Sequence, residues 1–153
     1  MPALNEMRNL GGAISECLAA FNAFNIVGEV IVVNDGSTDG TGEIVAEWVR
    51  KDSRVATIRH ETPRGIGASF WDGVDLSRGE TIVMLPGDNE NDPREIFRYH
   101  GILQHVDIVI PFVYNKEVRS LFRNALSFLY RFIINSSFMV NFNYTNGTNL
   151  YRT

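Results

Sequence analysis

Two short apolar runs each end in a cluster of acidic and amide side chains, and this arrangement restricts the fold more than any other feature of the chain. The first run, 30–33, leads into the polar segment 34–39. The second run, 81–85, leads into 86–90. Such runs are typical of buried parallel strands, whose carboxyl ends meet at the edge where open α/β sheets bind ligands. The two clusters therefore predict one site for a metal ion and a nucleoside diphosphate.

The remaining chain alternates between helical periodicity and short apolar runs. This alternation predicts an α/β fold with a doubly wound, mostly parallel sheet and helices on both faces. The first helix has Leu10, Ile14, Leu18 and Phe21 on its inner side, and the second has Ile44, Val45 and Trp48. The predicted helices are 6–21, 41–51, 66–76, 93–103 and 118–134, and the predicted strands are 29–33, 55–60, 80–85 and 106–112.

Length and composition limit the class of protein. A chain of 153 residues with 44% hydrophobic content forms one domain or most of one. Its net charge of -4 gives no general electrostatic reason to bind nucleic acid. The single cysteine, Cys17, fits a reducing compartment and is interpreted as a core thiol rather than a reactive one. No apolar stretch is long enough to span a bilayer, so a cytoplasmic chain that is soluble or peripheral to a membrane is expected.

Both ends of the sequence look truncated for a fold of this kind. Met1 precedes the first predicted helix without a full strand, so we interpret Met1 as the tail of a strand. The segment 151–153 has the character of the beginning of another strand.

The segment 34–41 has two interpretations. Taken alone it is a turn and helix cap, with Ser37, Thr38 or Asp39 capping the second helix. An EF-hand calcium loop is excluded, because the bidentate glutamate comes at Glu47, one position late, and a strand leads into the segment. In the functional interpretation, Asp35 accepts hydrogen bonds from a base or a ribose.

The second cluster places two carboxylates, Asp88 and Glu90, on one side of an extended segment. Hard oxygen ligands of this kind suit Mg²⁺ or Mn²⁺ together with phosphate oxygens. The alternative is a solvated loop that leads into the helix at Pro93, which Asp92 caps.

Gly65 and Gly67 open the predicted third helix beside Arg64. They do not form a dinucleotide fingerprint, because the third glycine would fall at Phe70. Their backbone N–H groups can face an anion. The alternative is a tight turn that lets helix and sheet approach closely.

Arg119, Arg123 and Ser127 recur at four-residue spacing and form one stripe of the last predicted helix. They are either solvated or bind phosphate, and the apolar residues between them belong to a core or to a lipid interface. The three histidines, His60, His100 and His105, show no metal-binding spacing and are interpreted as ordinary surface or strand-end residues.

Taken in order along the chain, these motifs resemble the family-two glycosyltransferases of the GT-A fold, and especially the polyprenyl-phosphate sugar synthases of the dolichyl-phosphate mannose synthase type. The resemblance covers 2–152. The matching segments are Pro2-Ala3-Leu4-Asn5-Glu6, the strand end 33–41, the glycine segment 64–73, and Thr145-Asn146-Gly147 with Tyr151-Arg152. One departure is Pro86, which stands where the Asp-x-Asp metal motif has its first aspartate.

The resemblance implies a single GT-A catalytic domain over 1–153, with a nucleotide-sugar half at 1–112 and an acceptor half at 113–153. It implies a metal-assisted, inverting transfer from a nucleotide-sugar to a polyprenyl phosphate or a glycan, at the cytoplasmic face of a membrane. The implied donor-binding residues are Pro2, Asn5, Glu6, Asp35, Ser37, Gly65, Gly67 and Asp88. The implied metal ligands are Asp88 and Glu90, the implied catalytic residues are Asp88 and Arg123, and the implied acceptor-phosphate residues are Arg119, Arg123 and Ser127.

The kind of acceptor stays open between two chemistries. A hydroxyl acceptor needs a general base, whereas a lipid phosphate arrives ionised. After Asp107 the only carboxylate is Glu117, and this scarcity favours a phosphate acceptor. A transferase that acts on a saccharide hydroxyl and a non-catalytic nucleotide-binding module remain the alternatives.

Overall fold

The computed structural model describes residues 1–111, 121–141 and 148–152. The strands are β1 (Pro2–Ala3), β2 (Val30–Asn34), β3 (Val55–Arg59), β4 (Thr81–Val83), β5 (Ile108–Val109) and β6 (Leu150–Arg152). The helices are α1 (Leu10–Ala23), α2 (Thr41–Lys51), α3 (Ile66–Leu76), α4 (Pro93–Phe97) and α5 (Leu121–Phe138), and a 3₁₀ helix spans His100–Gln104.

Several helix boundaries follow the sequence prediction and others do not. The second and third helices begin and end at the predicted residues. The first helix begins at Leu10 rather than at residue 6, because 7–9 form a turn and Asn9 is the N-cap. The prediction of one helix over 93–103 is wrong, since α4 ends at Phe97 and a separate 3₁₀ helix follows. In the last predicted helix, 118–120 lie outside the described residues.

The first sheet is parallel, in the order β1-β2-β3. Pro2 is in register with Val33, and Val33 with Ile58. Every residue of β2 is buried, as expected for a strand covered on both faces. The carbonyl oxygen of Met1 accepts the N–H of Val33 at 2.9 Å, so Met1 pairs with β2 just before β1 begins at Pro2.

Helices cover both faces of β2. A Cβ atom added at Gly73 of α3 would lie 3.4 Å from Val33 Cγ2, and one added at Gly42 of α2 would lie 3.4 Å from Asn34 Nδ2. Because adjacent strand residues point to opposite faces, α2 and α3 lie on opposite sides of the sheet. This confirms the prediction of helices on both faces for the part of the sheet around β2.

The second sheet corrects the prediction for the later strands. β4 and β5 were expected to continue the parallel sheet, but each pairs antiparallel with β6, in the order β4-β6-β5. Thr81 is in register with Arg152, and Ile108 with Tyr151. The physical reason is that β6 offers hydrogen-bonding groups on both of its edges, and both short strands pair with it.

The core lies between α1 and the sheets. The four residues predicted on the inner side of α1, from Leu10 to Phe21, are all buried. Phe21 stacks on Phe97 of α4 with ring centroids 5.1 Å apart. In α2, Val45 is buried, whereas Ile44 and Trp48 are half-buried. Cys17 is a buried free thiol, as predicted.

The chain divides into two compact units, one of Met1–Val109 with Leu150–Thr153 and one of Ile110–Asn149. Among the residues that the structure describes, no helix combines the length and the apolar character needed to cross a bilayer. The expectation of a single catalytic domain with a donor half and an acceptor half stays a prediction.

Candidate functional site

The ends of β1, β2 and the segment after β4 meet at one edge of the first unit. The N–H of Asp35 donates to the carbonyl oxygen of Ala3 at 2.9 Å. The N–H of Gly87 donates to the carbonyl oxygen of Pro2, also at 2.9 Å. Carbonyls of adjacent residues in a strand point to opposite sides, so β1 lies between the two polar clusters. The structure thus brings 35–39 and 87–90 to the same strand end.

The turn after β1 is tied to the loop after β2. The N–H of Asn5 donates to Ser37 Oγ at 2.9 Å, and Asn5 Oδ1 accepts from the N–H of Thr38 at 3.0 Å. The N–H of Glu6 donates to Thr41 Oγ1 at 2.8 Å. Three predicted donor-binding residues, Asn5, Glu6 and Ser37, therefore lie together, and Asn5 tolerates the positive φ that the turn requires.

Gly40 occupies the N-cap position of α2 without a side-chain cap, so none of the three residues predicted to cap this helix is its N-cap. Asp39 Oδ1 accepts the N–H of Thr41 at 2.9 Å, at the first residue of the helix. Its other oxygen accepts the N–H of Met7 at 3.2 Å. Asp39 therefore links the helix start to the turn after β1.

Asp35 is buried, and protein groups occupy both of its carboxylate oxygens. Oδ1 accepts the N–H of Arg64 at 2.8 Å and lies 2.6 Å from His60 Nδ1, while Oδ2 accepts the N–H of Gly65 at 2.8 Å. Burial alone would raise the pKa of Asp35, but the hydrogen bonds from His60 and the two backbone groups together lower the pKa below 3.8. Asp35 thus anchors the loop that leads into α3. Its predicted contact with a base or a ribose stays a prediction.

The glycine segment lies at the start of α3. Gly65 has a φ of +90°, a conformation that favours glycine, and Gly65 and Gly67 are both exposed. A Cβ atom added at either position would meet nothing within 4 Å. The packing interpretation, in which these glycines let helix and sheet approach closely, is therefore wrong for both residues.

His60 is the residue that the sequence analysis missed. It follows β3, as expected, but it is buried rather than at the surface. Its Nε2 lies 2.9 Å from Asp72 Oδ2, an oxygen that also accepts Arg64 Nη1 at 2.8 Å. The alternation of β3 could have revealed that His60 is buried, because His60 lies on the same face of the strand as Ala56 and Ile58.

The carboxylate pair lies in a tight turn, so the prediction of an extended segment at Asp88 and Glu90 is wrong. The N–H of Glu90 donates to Asp88 Oδ1 at 3.1 Å, and Asn89 between them has a φ of 59°. Asp88 is half-buried and Glu90 is exposed. Asp92 caps α4 through the N–H of Arg94 at 2.8 Å, so the pair is not needed for capping.

The chemistry of this turn suits a divalent cation that brings further ligands with it. Within 1–111, 121–141 and 148–152, no group of three His, Cys, Asp or Glu side chains could hold a metal ion. Two hard oxygen donors fit Mg²⁺ or Mn²⁺, which complete their shells with water and phosphate oxygens.

The predicted acceptor residues belong to the second unit. Ser127 is exposed on α5, as are the apolar side chains of Phe128, Leu129 and Phe132. Arg123 lies within α5, but its side chain is outside the described part of the chain, and Arg119 is outside it altogether. The motif residues 145–147 and the carboxylate Glu117 also lie outside the described residues.

Comparison with known protein families identifies the family of this chain. The sequence model of the family "Glycosyl transferase family 2" matches residues 1–152. The chain belongs to glycosyl transferase family 2. This confirms the resemblance inferred from the motifs.

Two curated relatives of this family 2 chain have names that include a polyprenyl phosphate. The dodecaprenyl-phosphate galacturonate synthase of Rhizobium johnstonii is 33% identical over 98 residues, covering 63% of this chain and 29% of that protein. The undecaprenyl-phosphate 4-deoxy-4-formamido-L-arabinose transferase of Aeromonas hydrophila is 28% identical over 129 residues, covering 83% of this chain and 39% of that protein. This chain thus spans well under half the length of either relative.

Solved structures show the fold of this family 2 chain to be GT-A. The mannosyl-3-phosphoglycerate synthase of Rubrobacter xylanophilus matches with a TM-score of 0.74 at 18% identity, over 99% of this chain and 51% of that one. The mannosyltransferase PcManGT of Pyrobaculum calidifontis, solved with GDP-Man and Mn²⁺, matches with a TM-score of 0.64 at 20% identity. That match covers 82% of this chain and 36% of the other.

Proposed function

We propose that this chain binds a nucleotide-sugar at the carboxyl ends of β1 and β2 and transfers the sugar to a polyprenyl phosphate. The observation that carries the proposal is the pair of backbone hydrogen bonds on β1, from Asp35 to Ala3 and from Gly87 to Pro2. These hydrogen bonds bring the loop after β2 and the carboxylate turn after β4 to one edge of the sheet, where open α/β sheets bind ligands.

The donor occupies the edge in two parts. The nucleoside lies against the turn of Pro2, Asn5 and Glu6 and the loop of Asp35 and Ser37, whose mutual hydrogen bonds fix these segments beforehand. The diphosphate lies towards Asp88 and towards the backbone N–H groups at the start of α3, where Gly65 and Gly67 leave open space. Such preorganisation lowers the entropy cost of binding.

Asp88 and Glu90 would hold a Mg²⁺ or Mn²⁺ ion, and a bound ion would supply positive charge against the negative charge that the leaving nucleoside diphosphate gains as the glycosidic bond breaks. Because Pro86 stands where the metal motif has its first aspartate, Asp88 and Glu90 are the carboxylates of this turn that could bind the ion. A relative solved with GDP-Man and Mn²⁺ supports this choice of ion.

A polyprenyl phosphate is the acceptor that the remaining residues suit best. A phosphate oxygen attacks the anomeric carbon without needing a general base, and Arg119, Arg123 and Ser127 are the residues proposed to hold that phosphate. The exposed apolar side chains of α5 are proposed to lie at the cytoplasmic surface of the membrane that carries the lipid. The names of the curated relatives support this choice of acceptor.

A transfer assay tests the proposal. The purified protein is incubated with Mn²⁺, a panel of radiolabelled UDP- and GDP-sugars, and a short-chain polyprenyl phosphate. We expect label in the lipid fraction with one donor, and loss of at least about tenfold in the rate for Arg123→Gln. Arg98→Gln is the matched control, because Arg98 is an exposed arginine that pairs with Glu95 on its own helix end. Label in a saccharide rather than in the lipid would favour the hydroxyl acceptor, and no transfer with any donor would contradict the proposal.

A further inference from the structure

We propose that His60 is a positioning residue of the donor site, held as a doubly protonated imidazolium ion that clamps the end of β2 to α3. Through this clamp the ring sets the position of the loop 61–65 and of the first turn of α3. This inference rests on the proposed donor site and adds a residue that does not itself touch the donor.

The geometry of the ring requires two protons. Nδ1 lies 2.6 Å from Asp35 Oδ1, and Nε2 lies 2.9 Å from Asp72 Oδ2. Ionised carboxylate oxygens only accept hydrogen bonds, so each ring nitrogen has to donate. A neutral imidazole has one donor and one acceptor, and its acceptor nitrogen would face a carboxylate oxygen.

The alternative of a protonated carboxyl group is disfavoured by the other donors around the two aspartates. Asp35 already accepts the backbone N–H groups of Arg64 and Gly65, and Asp72 Oδ2 already accepts Arg64 Nη1. Each of these hydrogen bonds stabilises the ionised carboxylate. The proton therefore belongs to the ring.

The charges of the cluster balance. Asp35 faces the ring from the end of β2, Asp72 faces it from α3, and Arg64 reaches Asp72 from the loop between β3 and α3. With an imidazolium ion, the group has two negative and two positive charges. Loss of the ring proton would leave a net negative charge around a side chain that is only 5% exposed.

The clamp acts on the backbone that forms the donor edge. The N–H of His60 donates to the carbonyl oxygen of Asn34 at 2.9 Å, which extends the pairing of β3 with β2 beyond the strands. The carboxylate of Asp35, which contacts the ring, also accepts the backbone N–H of Gly65, five residues after His60. A shift of Asp35 therefore moves both the loop after β2 and the start of α3.

Nitrogen-15 NMR of the histidine rings tests the protonation state in the wild-type protein. The chain has three histidines, and His100 and His105 serve as internal references. At neutral pH we expect both ring nitrogens of His60 to carry a proton, because each faces a carboxylate oxygen. A His60 ring with one unprotonated nitrogen in the folded protein at neutral pH would overturn the proposal.

Nucleotide binding tests the positioning role. Affinities for UDP and GDP with Mn²⁺ are measured by calorimetry for wild type, His60→Gln and the neighbouring exposed control Arg59→Gln. We expect His60→Gln to weaken binding about tenfold or more, because a carboxamide cannot donate to two carboxylates, and Arg59→Gln to bind as wild type. Equal binding by wild type and His60→Gln overturns this proposal alone. Absence of binding by wild type overturns the proposed function and this proposal together.

The variant Asp72→Asn supplies a test that does not depend on how His60→Gln folds. The carboxamide that this substitution introduces can donate an N–H to Nε2 of His60, so the ring no longer needs its second proton. We expect nitrogen-15 NMR at neutral pH to show an unprotonated Nε2 of His60 in Asp72→Asn, where wild type has two protonated ring nitrogens. Two protonated nitrogens in both proteins would contradict the role of the Asp72 carboxylate in holding the second proton.

Discussion

The backbone N–H of Gly87 lies 2.9 Å from the carbonyl oxygen of Pro2 and donates a hydrogen bond to it. This contact ties the carboxylate turn to the strand whose other side meets Asp35. Segments that are far apart in sequence are thereby joined at one strand end. The proposed site depends on this close approach of two backbone segments.

The first prediction concerns the space at Gly87. A Cβ atom added there would lie 3.1 Å from both Ala3 Cβ and Leu10 Cδ1, and Leu10 is fully buried. We expect Gly87→Ala to lower the free energy of unfolding by about 1–3 kcal/mol, measured by urea denaturation.

Gly101→Ala is the control for this prediction, because a Cβ atom there would meet nothing within 4 Å. Its effect should stay within about 0.5 kcal/mol. If Gly87→Ala were as stable as Gly101→Ala, the close packing of the carboxylate turn on β1 would be contradicted.

The second prediction concerns Asp35 and acid stability. Since the pKa of Asp35 is lowered in the folded state, its ionised form stabilises the protein above the ordinary pKa of 3.8, and this contribution is lost as pH falls through the lower, folded pKa. Asp35→Asn should cost about 1–3 kcal/mol at neutral pH. Below about pH 4, the free energy of unfolding of Asp35→Asn should also fall less steeply with decreasing pH than that of wild type.

The exposed Asp75→Asn on α3 is the matched control for Asp35→Asn. Its unfolding free energy should follow that of wild type across the acid range. Parallel curves for wild type and Asp35→Asn would show that the hydrogen bonds from His60, Arg64 and Gly65 do not stabilise the ionised carboxylate.

The third prediction concerns the thiol of Cys17. Burial raises the pKa of this thiol from 9.0 to about 12, so the reactive thiolate is scarce in the folded protein. We expect an aromatic disulfide reagent to label the native protein slowly at neutral pH and to label it rapidly in urea. Equally rapid labelling in both conditions would contradict the placement of Cys17 in the core.

The sign of the pH effect follows from the same shift. Because the folded thiol has the higher pKa, the unfolded state loses its proton first as pH rises above about 9. The thiol therefore lowers the free energy of unfolding in alkaline solution, and Cys17→Ala should reduce this loss.

The sequence was sufficient for features that depend on local pattern. The bounds of α2 and α3 follow from their helical periodicity and from the glycines Gly40 and Gly65 that precede them. The meeting of the two polar clusters followed from one rule, that parallel strands bring their carboxyl ends to one edge.

Features that depend on distant partners could not be predicted in this way. β4 and β5 are short, and nothing in their own residues shows that β6, from the end of the described chain, pairs with both. His60 looks ordinary in sequence because its partners Asp35 and Asp72 lie 25 and 12 residues away. Such pairing depends on tertiary packing, which overrides local preference.

The most direct test of the central claim is the coupling between nucleotide and metal at the shared edge. Calorimetry with UDP and GDP, each with and without Mn²⁺, should show tighter binding in the presence of the ion for one nucleotide. Asp88→Ala and Glu90→Ala should remove most of this enhancement, whereas Asp75→Asn should retain it. Nucleotide binding that is unaffected by Mn²⁺ and unchanged in Asp88→Ala would contradict the account.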